Sequence, residues 1–247
     1  MVIIETFKNG VKTIKVNRPW KKNAFNMEVY KTLTTILNKD ANNDKIAVTL
    51  LTAVGDYFSS GNDMSTSMQD PDIAMKAVED MVEAFINYPK LLICIVNGTA
   101  IGIGATLVTL CDIVYASDRA VFDTPFLKLG LCVEGTSSFS YPFILGRSVA
   151  SEVLFLNRKL TAQEACNYGL VSRVIPHSEL DEFIKDLHKY GTLSVDNIKR
   201  NKAAIMENFK KIYSDCNKRE FEVLKECINS EDFSIAVQKF LMRKSKL

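Results

Sequence analysis

The stretch LLICIVNGTAIGIGATLVTLCD, residues 91–112, decides the fold class. Its opening LLICIV is apolar at every position, which is typical of a strand buried on both faces of a parallel sheet. The glycine-bearing run that follows predicts a turn and then the beginning of a buried helix. A strand that leads directly into a helix is the repeating connection of an α/β fold.

The same arrangement recurs towards the N-terminus. VIIETFKNG and VKTIKVNRP predict a hairpin around Asn9-Gly10, and the apolar spacing that follows predicts a helix over about 26–40. KIAVTLLTA predicts another buried strand, and after a polar loop comes a helix over about 73–87. A strand–strand–helix unit therefore recurs around 1–40, 46–87 and 91–112.

Beyond Gly135 the periodicity is helical almost to the end of the chain. Strands that lead into helices early, followed by helices alone, predict an α/β fold with a helical C-terminal subdomain. We expect the core over residues 1–190 and the helical subdomain over 191–247.

Composition limits the classes of function. The chain has 247 residues, of which 47% are hydrophobic and 24% charged, and its net charge is +2. These values are typical of a soluble globular protein, and the balance of charge argues against nucleic acid or an anionic membrane as a partner. No apolar run approaches the ~20 residues of a membrane span. The N-terminus is interpreted as the first strand of the fold, with no signal or transit peptide before it.

The cysteines and histidines give no sign of a metal site. Six cysteines are scattered without a C-x-x-C pair, mostly beside apolar residues, and the two histidines, His177 and His188, have no ligand partner at metal spacing. We expect buried free thiols, a reducing compartment and no bound metal.

The last three residues, Ser245-Lys246-Leu247, match the peroxisomal address that a soluble import receptor reads at a free carboxyl terminus. They follow a charged segment that should be accessible. The tripeptide therefore predicts the peroxisomal matrix, against the alternative of an incidental tail.

Two glycine-bearing segments are candidates for binding an anionic oxygen. In Ser59-Ser60-Gly61-Asn62-Asp63-Met64 the glycine either makes a plain turn or directs backbone N–H groups at an anion. In the run 97–104 the glycines either serve packing or allow close approach at a helix N-terminus. A dinucleotide fingerprint is a poor match there, because Leu107 replaces the third glycine.

A third segment, LGLCVEGTSS, contains the lone acid Glu134 between apolar residues and a Gly/Ser cluster. Such an acid is often a helix-capping residue. Apolar surroundings also disfavour ionisation, and this can poise a carboxyl group as a general base. The residues alone leave both interpretations open.

Taken together, four motifs resemble the crotonase superfamily, also called the enoyl-CoA hydratase/isomerase superfamily. FSSGNDM, VNGTAIGIGATLVTLCDIVYAS, FDTPFLKLGLCVEG and LNRKLTAQEACNYGLVSRVIP occur in the order and spacing of that family. The resemblance covers nearly the whole chain. It implies a spiral of repeated β-β-α units, an acyl-CoA substrate and assembly as a homotrimer or a hexamer.

The resemblance also implies the site. The backbone N–H groups of Asn62 and Ile103 would form an oxyanion hole for the thioester carbonyl. Residues expected to bind the substrate are Ser60, Gly61, Asn62, Asp63, Met64 and Gly102. Residues expected near the CoA phosphates are Arg18, Lys21 and Lys22. No cofactor is expected, since coenzyme A is part of the substrate.

The acids select the reaction. Family hydratases carry two glutamates that position water, and Thr106 and Phe126 stand at those positions here. Glu134 matches the catalytic glutamate of Δ3,Δ2-enoyl-CoA isomerases, particularly the peroxisomal type. The resemblance thus implies a one-base proton shuttle. The alternatives are a CoA-binding or scaffold module without catalysis and another crotonase-type acyl-CoA reaction.

Overall fold

The structure is a computed structural model that describes residues 1–64 and 71–244. The tripeptide Ser245-Lys246-Leu247 lies outside the described residues. The strands are β1 (Ile3–Lys8), β2 (Val11–Val16), β3 (Val48–Ala53), β4 (Tyr57–Ser59), β5 (Leu91–Val96), β6 (Thr99–Ile101), β7 (Ile113–Ser117), β8 (Val121–Asp123), β9 (Leu160–Thr161) and β10 (Arg173–Ile175). The helices are α1 (Met27–Ala41), α2 (Pro71–Asn87), α3 (Ile103–Thr106), α4 (Ser137–Leu145), α5 (Arg147–Leu156), α6 (Ala162–Asn167), α7 (Leu180–Asp186), α8 (Val195–Met206), α9 (Lys210–Ile228) and α10 (Glu231–Lys244).

Two sheets carry the fold. The larger has the order β1-β2-β3-β5-β7-β10, and the smaller has the order β4-β6-β8-β9. Apart from the β1–β2 hairpin and the β8–β9 pair, neighbouring strands are parallel. Successive units place one strand in the large sheet and the next in the small one. This confirms the predicted α/β spiral of β-β-α units.

The local predictions hold where sequence patterns are strong. α1 begins after Asn26, whose side chain accepts a hydrogen bond from the N–H of Val29 at 3.1 Å, as expected of an N-cap. Every residue of β3 is buried. Leu51 contributes to the main apolar cluster, while Val48 and Leu50 contribute to a second cluster on the opposite face of the sheet. Burial on both faces explains the continuous apolar run.

The expectation of helices alone after Gly135 is wrong at two places. β9 (Leu160–Thr161) pairs with β8, and β10 (Arg173–Ile175) pairs with β7 at the edge of the large sheet. Both strands are too short to show a period of their own, so the partner strand rather than the local sequence determines them.

The C-terminal helices pack directly on the core. Phe221 and Leu224 of α9 belong to the same apolar cluster as α1 and α2. The loop before α8 meets the first hairpin so closely that a Cβ atom at Gly191 would lie 1.7 Å from the carbonyl oxygen of Asn9. The boundary between a core over 1–190 and a subdomain over 191–247 stays a prediction.

Candidate active site

The loop after β4 presents one free backbone N–H group. The N–H of Phe25 donates to the carbonyl of Gly61, and the N–H of Asp63 donates to the carbonyl of Phe25, each at 2.8 Å. The N–H of Asn62, between these two bonds, has no acceptor in the described part of the chain. Gly61 makes the turn with φ +86°, and a Cβ atom there would lie 2.9 Å from the carbonyl oxygen of Ile101. This position therefore requires glycine.

A second loop presents another free N–H group at the beginning of α3. Gly102 adopts φ +55°, its N–H donates to Asp123, and its carbonyl accepts from Ala105 and Thr106. Within residues 1–64 and 71–244 the N–H of Ile103 has no acceptor, as is usual for the first turn of a helix. A Cβ atom at Gly102 would lie 3.9 Å from the Cα of Gly61, so the two loops are neighbours.

Arg18 fixes the first loop from behind. Its guanidinium pairs with Asp63 (Nη2 to Oδ2, 2.9 Å) and donates through Nη1 to the carbonyl of Ala24. Arg18 is only 7% exposed and Asp63 equally so. The expected contact of Arg18 with the CoA phosphates does not fit this geometry, because the guanidinium is directed into the protein. The sequence showed a cationic cluster, but it could not show which cation is buried.

Lys21 and Lys22 are exposed and attached to the same loop. The N–H of Ser60 donates to the carbonyl of Lys22 at 2.9 Å, and its hydroxyl donates to the carbonyl of Lys21 at 3.3 Å. Ser60 therefore joins the lysine turn to the loop. Contact of the two lysines with phosphate stays a prediction.

Glu134 lies beside both loops. It is 3% exposed, and its Oε1 accepts a hydrogen bond from the side-chain amide of Asn62 at 3.0 Å. A Cβ atom on the next residue, Gly135, would lie 3.0 Å from Cδ1 of Ile103. The structure thus brings together the three segments that the sequence singled out.

The pKa of Glu134 is raised to about 7, chiefly by burial and also by the negative charge of Glu220, while the hydrogen bond from Asn62 opposes the rise. A carboxyl group with this pKa exists in both protonation states near neutral pH. Such a group can accept and return a proton with little energetic penalty.

Two contributions to the site were missed at the level of sequence. The hydroxyl of Tyr30 in α1 donates to Oδ1 of Asn62, which directs the amide nitrogen of Asn62 towards Glu134. Glu220 in α9 accepts the N–H groups of Thr136 and Ser138 on the other side of the Glu134 loop. The sequence predicts a backbone role for Asn62 in the oxyanion hole and a place among the substrate-binding residues, but no contact with Glu134. No local signal reveals these contacts, because they join residues 32 to 84 positions apart.

The hydratase positions lie in packed surroundings. Thr106 is fully buried, and a Cβ atom at Gly135 would lie 2.4 Å from its Oγ1. Phe126 is 2% exposed and belongs to the apolar core. A glutamate at 106 would therefore have to displace the Glu134 loop.

A cavity of about 470 Å³ opens in front of Glu134. Asn62 and Glu134 lie at one part of its lining, and most of the remaining lining is apolar and comes from α2, α9 and α10. The apolar residues are Met64, Pro71, Ala74, Met75, Val78, Leu131, Phe221, Leu224, Ile228, Phe233 and Val237. The polar groups of Asn62 and Glu134 beside a mostly apolar lining suit a ligand with a polar head and a hydrocarbon chain.

The sequence predictions also concern the cysteines and the possible metal ligands. All six cysteines are free thiols. Residues 1–64 and 71–244 contain no group of three acidic, histidine or cysteine side chains that could bind a metal ion. Over the same residues, no helix has both the length and the apolar character needed to cross a bilayer.

Comparison with known proteins identifies the family. A profile of the enoyl-CoA hydratase/isomerase family matches residues 6–246. The chain is 40% identical to enoyl-CoA delta isomerase 2 of Homo sapiens over 99% of its own length, and it spans 64% of that relative. It is 37% identical to the peroxisomal enoyl-CoA delta isomerase 3 of Mus musculus, covering 99% of the chain and 79% of the relative.

A solved structure agrees in fold. The enoyl-CoA hydratase/isomerase from Pseudoalteromonas atlantica T6c superposes with a TM-score of 0.93 at 32% identity, covering 98% of each chain. With the profile matched over nearly the whole chain and the fold in agreement, this protein belongs to the enoyl-CoA hydratase/isomerase family.

Proposed function

We propose that this chain is a Δ3,Δ2-enoyl-CoA isomerase that converts cis- and trans-3-enoyl-CoA into trans-2-enoyl-CoA in fatty-acid β-oxidation. The observation that carries the proposal is the position of Glu134, which is buried in a largely apolar cavity beside two glycine loops. The isomerase names of the human and mouse relatives support the same reaction.

The first step is removal of a proton from C2. The carboxylate of Glu134 takes the proton, and the electron pair of the C–H bond moves towards the thioester carbonyl and gives a dienolate. The N–H groups of Asn62 and Ile103, which have no acceptor in the described chain, stabilise the negative oxygen. One such donor contributes roughly 3–4 kcal/mol to the stability of the transition state.

The second step returns the proton to C4. The carbonyl re-forms and a double bond forms between C2 and C3. The π electrons of the C3=C4 bond form the new C–H bond at C4 with the proton from Glu134, which is then a carboxylate again. One base suffices when C2 and C4 lie on the same side of it. A pKa of about 7 suits both steps, because neither protonation state is strongly favoured.

Water addition is disfavoured by the same site. Hydration needs carboxylates that position and activate water, and the two expected positions carry Thr106 and Phe126. Both side chains are buried in packed surroundings. Glu134 is the carboxylate that lines the cavity within the described residues.

Substrate orientation follows from the ends of the cavity. The thioester lies at Asn62 and Glu134, and the acyl chain extends along the apolar residues of α2, α9 and α10. Lys21 and Lys22 are exposed on the turn joined to Ser60, where they can meet the CoA phosphates.

The test is to mix the purified chain with cis- and trans-3-enoyl-CoA and to follow the absorbance of the conjugated 2-enoyl thioester. With substrate deuterated at C2, part of the label should appear at C4, because the buried carboxyl carries the same proton. Binding of the CoA ester without turnover would instead favour a non-catalytic CoA-binding module. Release of free CoA or of a hydroxyacyl product would favour another reaction of the family.

We also propose a peroxisomal location and assembly as a homotrimer or a hexamer. A peroxisomal location is supported by the name of the mouse relative and by the sequence Ser245-Lys246-Leu247. A tag fused after Leu247 should prevent import, whereas the same tag at the N-terminus should not. Light scattering of the purified chain tests the homotrimer or hexamer, and a monomer would exclude both.

A further inference from the structure

A second buried glutamate lies directly behind the segment that carries Glu134. Glu220 of α9 is 5% exposed. Its Oε2 accepts the N–H of Thr136 and its Oε1 accepts the N–H of Ser138, both at 2.7 Å. The thiol of Cys216 adds a third contact at 3.5 Å. The mechanism above makes no use of this carboxylate, although it is joined to the residues that immediately follow the base.

The backbone between the two glutamates contains one strained residue, Thr136. Gly135 and Thr136 both adopt left-handed φ angles, +68° and +65°. For a residue with a side chain, such as threonine, this conformation costs about 1–2 kcal/mol. The N–H groups of Thr136 and Ser138 converge on the same side of this turn, and N–H groups arranged in this way form a concave site for an anion. Here the anion is a side chain of the same protein.

We propose that Glu220 is a positioning residue for Glu134: its carboxylate, bound by the N–H groups of Thr136 and Ser138, fixes the direction in which Glu134 enters the cavity and maintains a negative charge behind it. This inference deepens the proposed isomerase function and rests on it. Glu220 does not line the cavity, so it acts through the loop and not on the substrate.

The charges around the pair support this role. The negative charge of Glu220 raises the pKa of Glu134, after burial as the larger cause. The other ionisable groups near the pair are Tyr30 from α1, Cys132 from the preceding loop and Cys216 from α9, and burial raises the pKa of each. Nearby Asp63 is paired with Arg18. Burial raises the pKa of Glu220 itself, and the hydrogen bonds from Ser138, Thr136 and Cys216 oppose that rise because they favour the charged form of the carboxyl group.

The first experiment measures kcat and KM for 3-enoyl-CoA between pH 5 and 9. Glu220→Gln preserves the size of the side chain, but one amide oxygen can accept only one of the two N–H groups. We expect kcat to fall about ten- to a hundredfold with little change in KM. The acid limb of the pH profile should move to lower pH by roughly half a unit or more, because Glu134 loses a neighbouring negative charge.

Glu222→Gln is the matched control. It removes the same charge from the same helix at an exposed position. Its kcat and its pH profile should equal those of the unmodified chain.

A second measurement needs no turnover. The infrared absorption of the protonated carboxyl group of Glu134 is obtained as the difference between each protein and its Glu134→Gln counterpart, and it is titrated in the absence of substrate. The midpoint should lie near pH 7 in the unmodified chain and lower in Glu220→Gln. If the chain has no isomerase activity but the midpoint still shifts, the proposed isomerase function is refuted, while the electrostatic effect of Glu220 on Glu134 is upheld.

Glu220→Asp tests the effect of side-chain length separately from the effect of charge. It retains the negative charge but shortens the side chain by one methylene, so kcat should fall about tenfold while the midpoint stays close to pH 7. This variant also serves if Glu220→Gln fails to fold. A kcat loss without a midpoint shift in Glu220→Gln would show a purely structural role and overturn the proposal. Unchanged kcat in either variant would overturn it as well.

Discussion

The segment from Val133 to Ser138 has two faces, and a buried glutamate meets each of them. On the cavity face, the side chain of Glu134 has one hydrogen-bond donor among the described residues, the amide of Asn62. On the opposite face, Glu220 accepts two backbone N–H groups. The same residue type at similar burial can therefore serve two purposes. A carboxyl group with few donors beside an open cavity is available to exchange a proton, whereas several donors hold a carboxyl group in place and favour its charged form.

Replacing the acid on the cavity face should have the largest effect. In Glu134→Gln we expect kcat for 3-enoyl-CoA to fall at least about a thousandfold, because the amide cannot accept the C2 proton. Binding of the CoA ester should persist, since the oxyanion loops and the apolar lining are unchanged. Stopped-flow kinetics and calorimetric titration measure the two quantities. Residual turnover within tenfold of the unmodified chain would remove Glu134 from the mechanism.

The same substitution should stabilise the fold at alkaline pH. The folded-state pKa of Glu134, about 7, is above its ordinary value of 4.5, so ionisation between these values destabilises the native state. Glutamine is neutral throughout. The free energy of unfolding of Glu134→Gln should therefore match that of the unmodified chain below pH 4.5 and exceed it by about 3 kcal/mol at pH 8. Urea unfolding at both pH values checks this, and an equal gain at both would contradict the raised pKa.

A substitution in the loop at Gly61 and Asn62, which faces Glu134, should lower kcat less than Glu134→Gln does. A methyl group at Gly61 would lie 2.9 Å from the carbonyl oxygen of Ile101, so Gly61→Ala should displace the N–H of Asn62 and lower kcat roughly 30- to 100-fold. Gly169→Ala is the control, because Gly169 has a similar φ of +84° but no atom within 4 Å of the added methyl. Equal losses in the two variants would mean that backbone strain, and not the oxyanion loop, is responsible.

The smallest loss of kcat is expected when the hydrogen-bond donor to Glu134, the side-chain amide of Asn62, is removed. Asn62→Ala preserves the backbone N–H but removes the hydrogen bond that lowers the pKa of Glu134. The acid limb should move to higher pH, opposite to the shift expected for Glu220→Gln, and kcat should fall about tenfold. Tyr30→Phe, which leaves the amide of Asn62 in place but no longer oriented, should move the limb in the same direction by less. If the acid limb moved in the same direction in Asn62→Ala and Glu220→Gln, the opposite effects assigned to Asn62 and Glu220 on the pKa of Glu134 would be contradicted.

Local patterns in the sequence determined much of the architecture. The apolar run 91–96 predicted a strand buried on both faces, and Asn26 predicted the beginning of α1. The glycines at 61 and 102 marked turns that adopt positive φ. The order of the motifs predicted the family, which the profile over 6–246 confirms. These features follow from residues close together in the chain, where side-chain period and backbone preference act directly.

Tertiary structure alone decided the partners of the candidate base. The sequence shows Arg18 beside two other cations, but the fold buries it against Asp63. It shows Glu220 among the charges of α9, and the fold places it behind residues 136 and 138. β9 and β10 likewise exist because of their neighbours. Burial and long-range hydrogen bonding are properties of the packed chain, so the pKa of Glu134 and the second acid behind it could be found only once the segments were in contact.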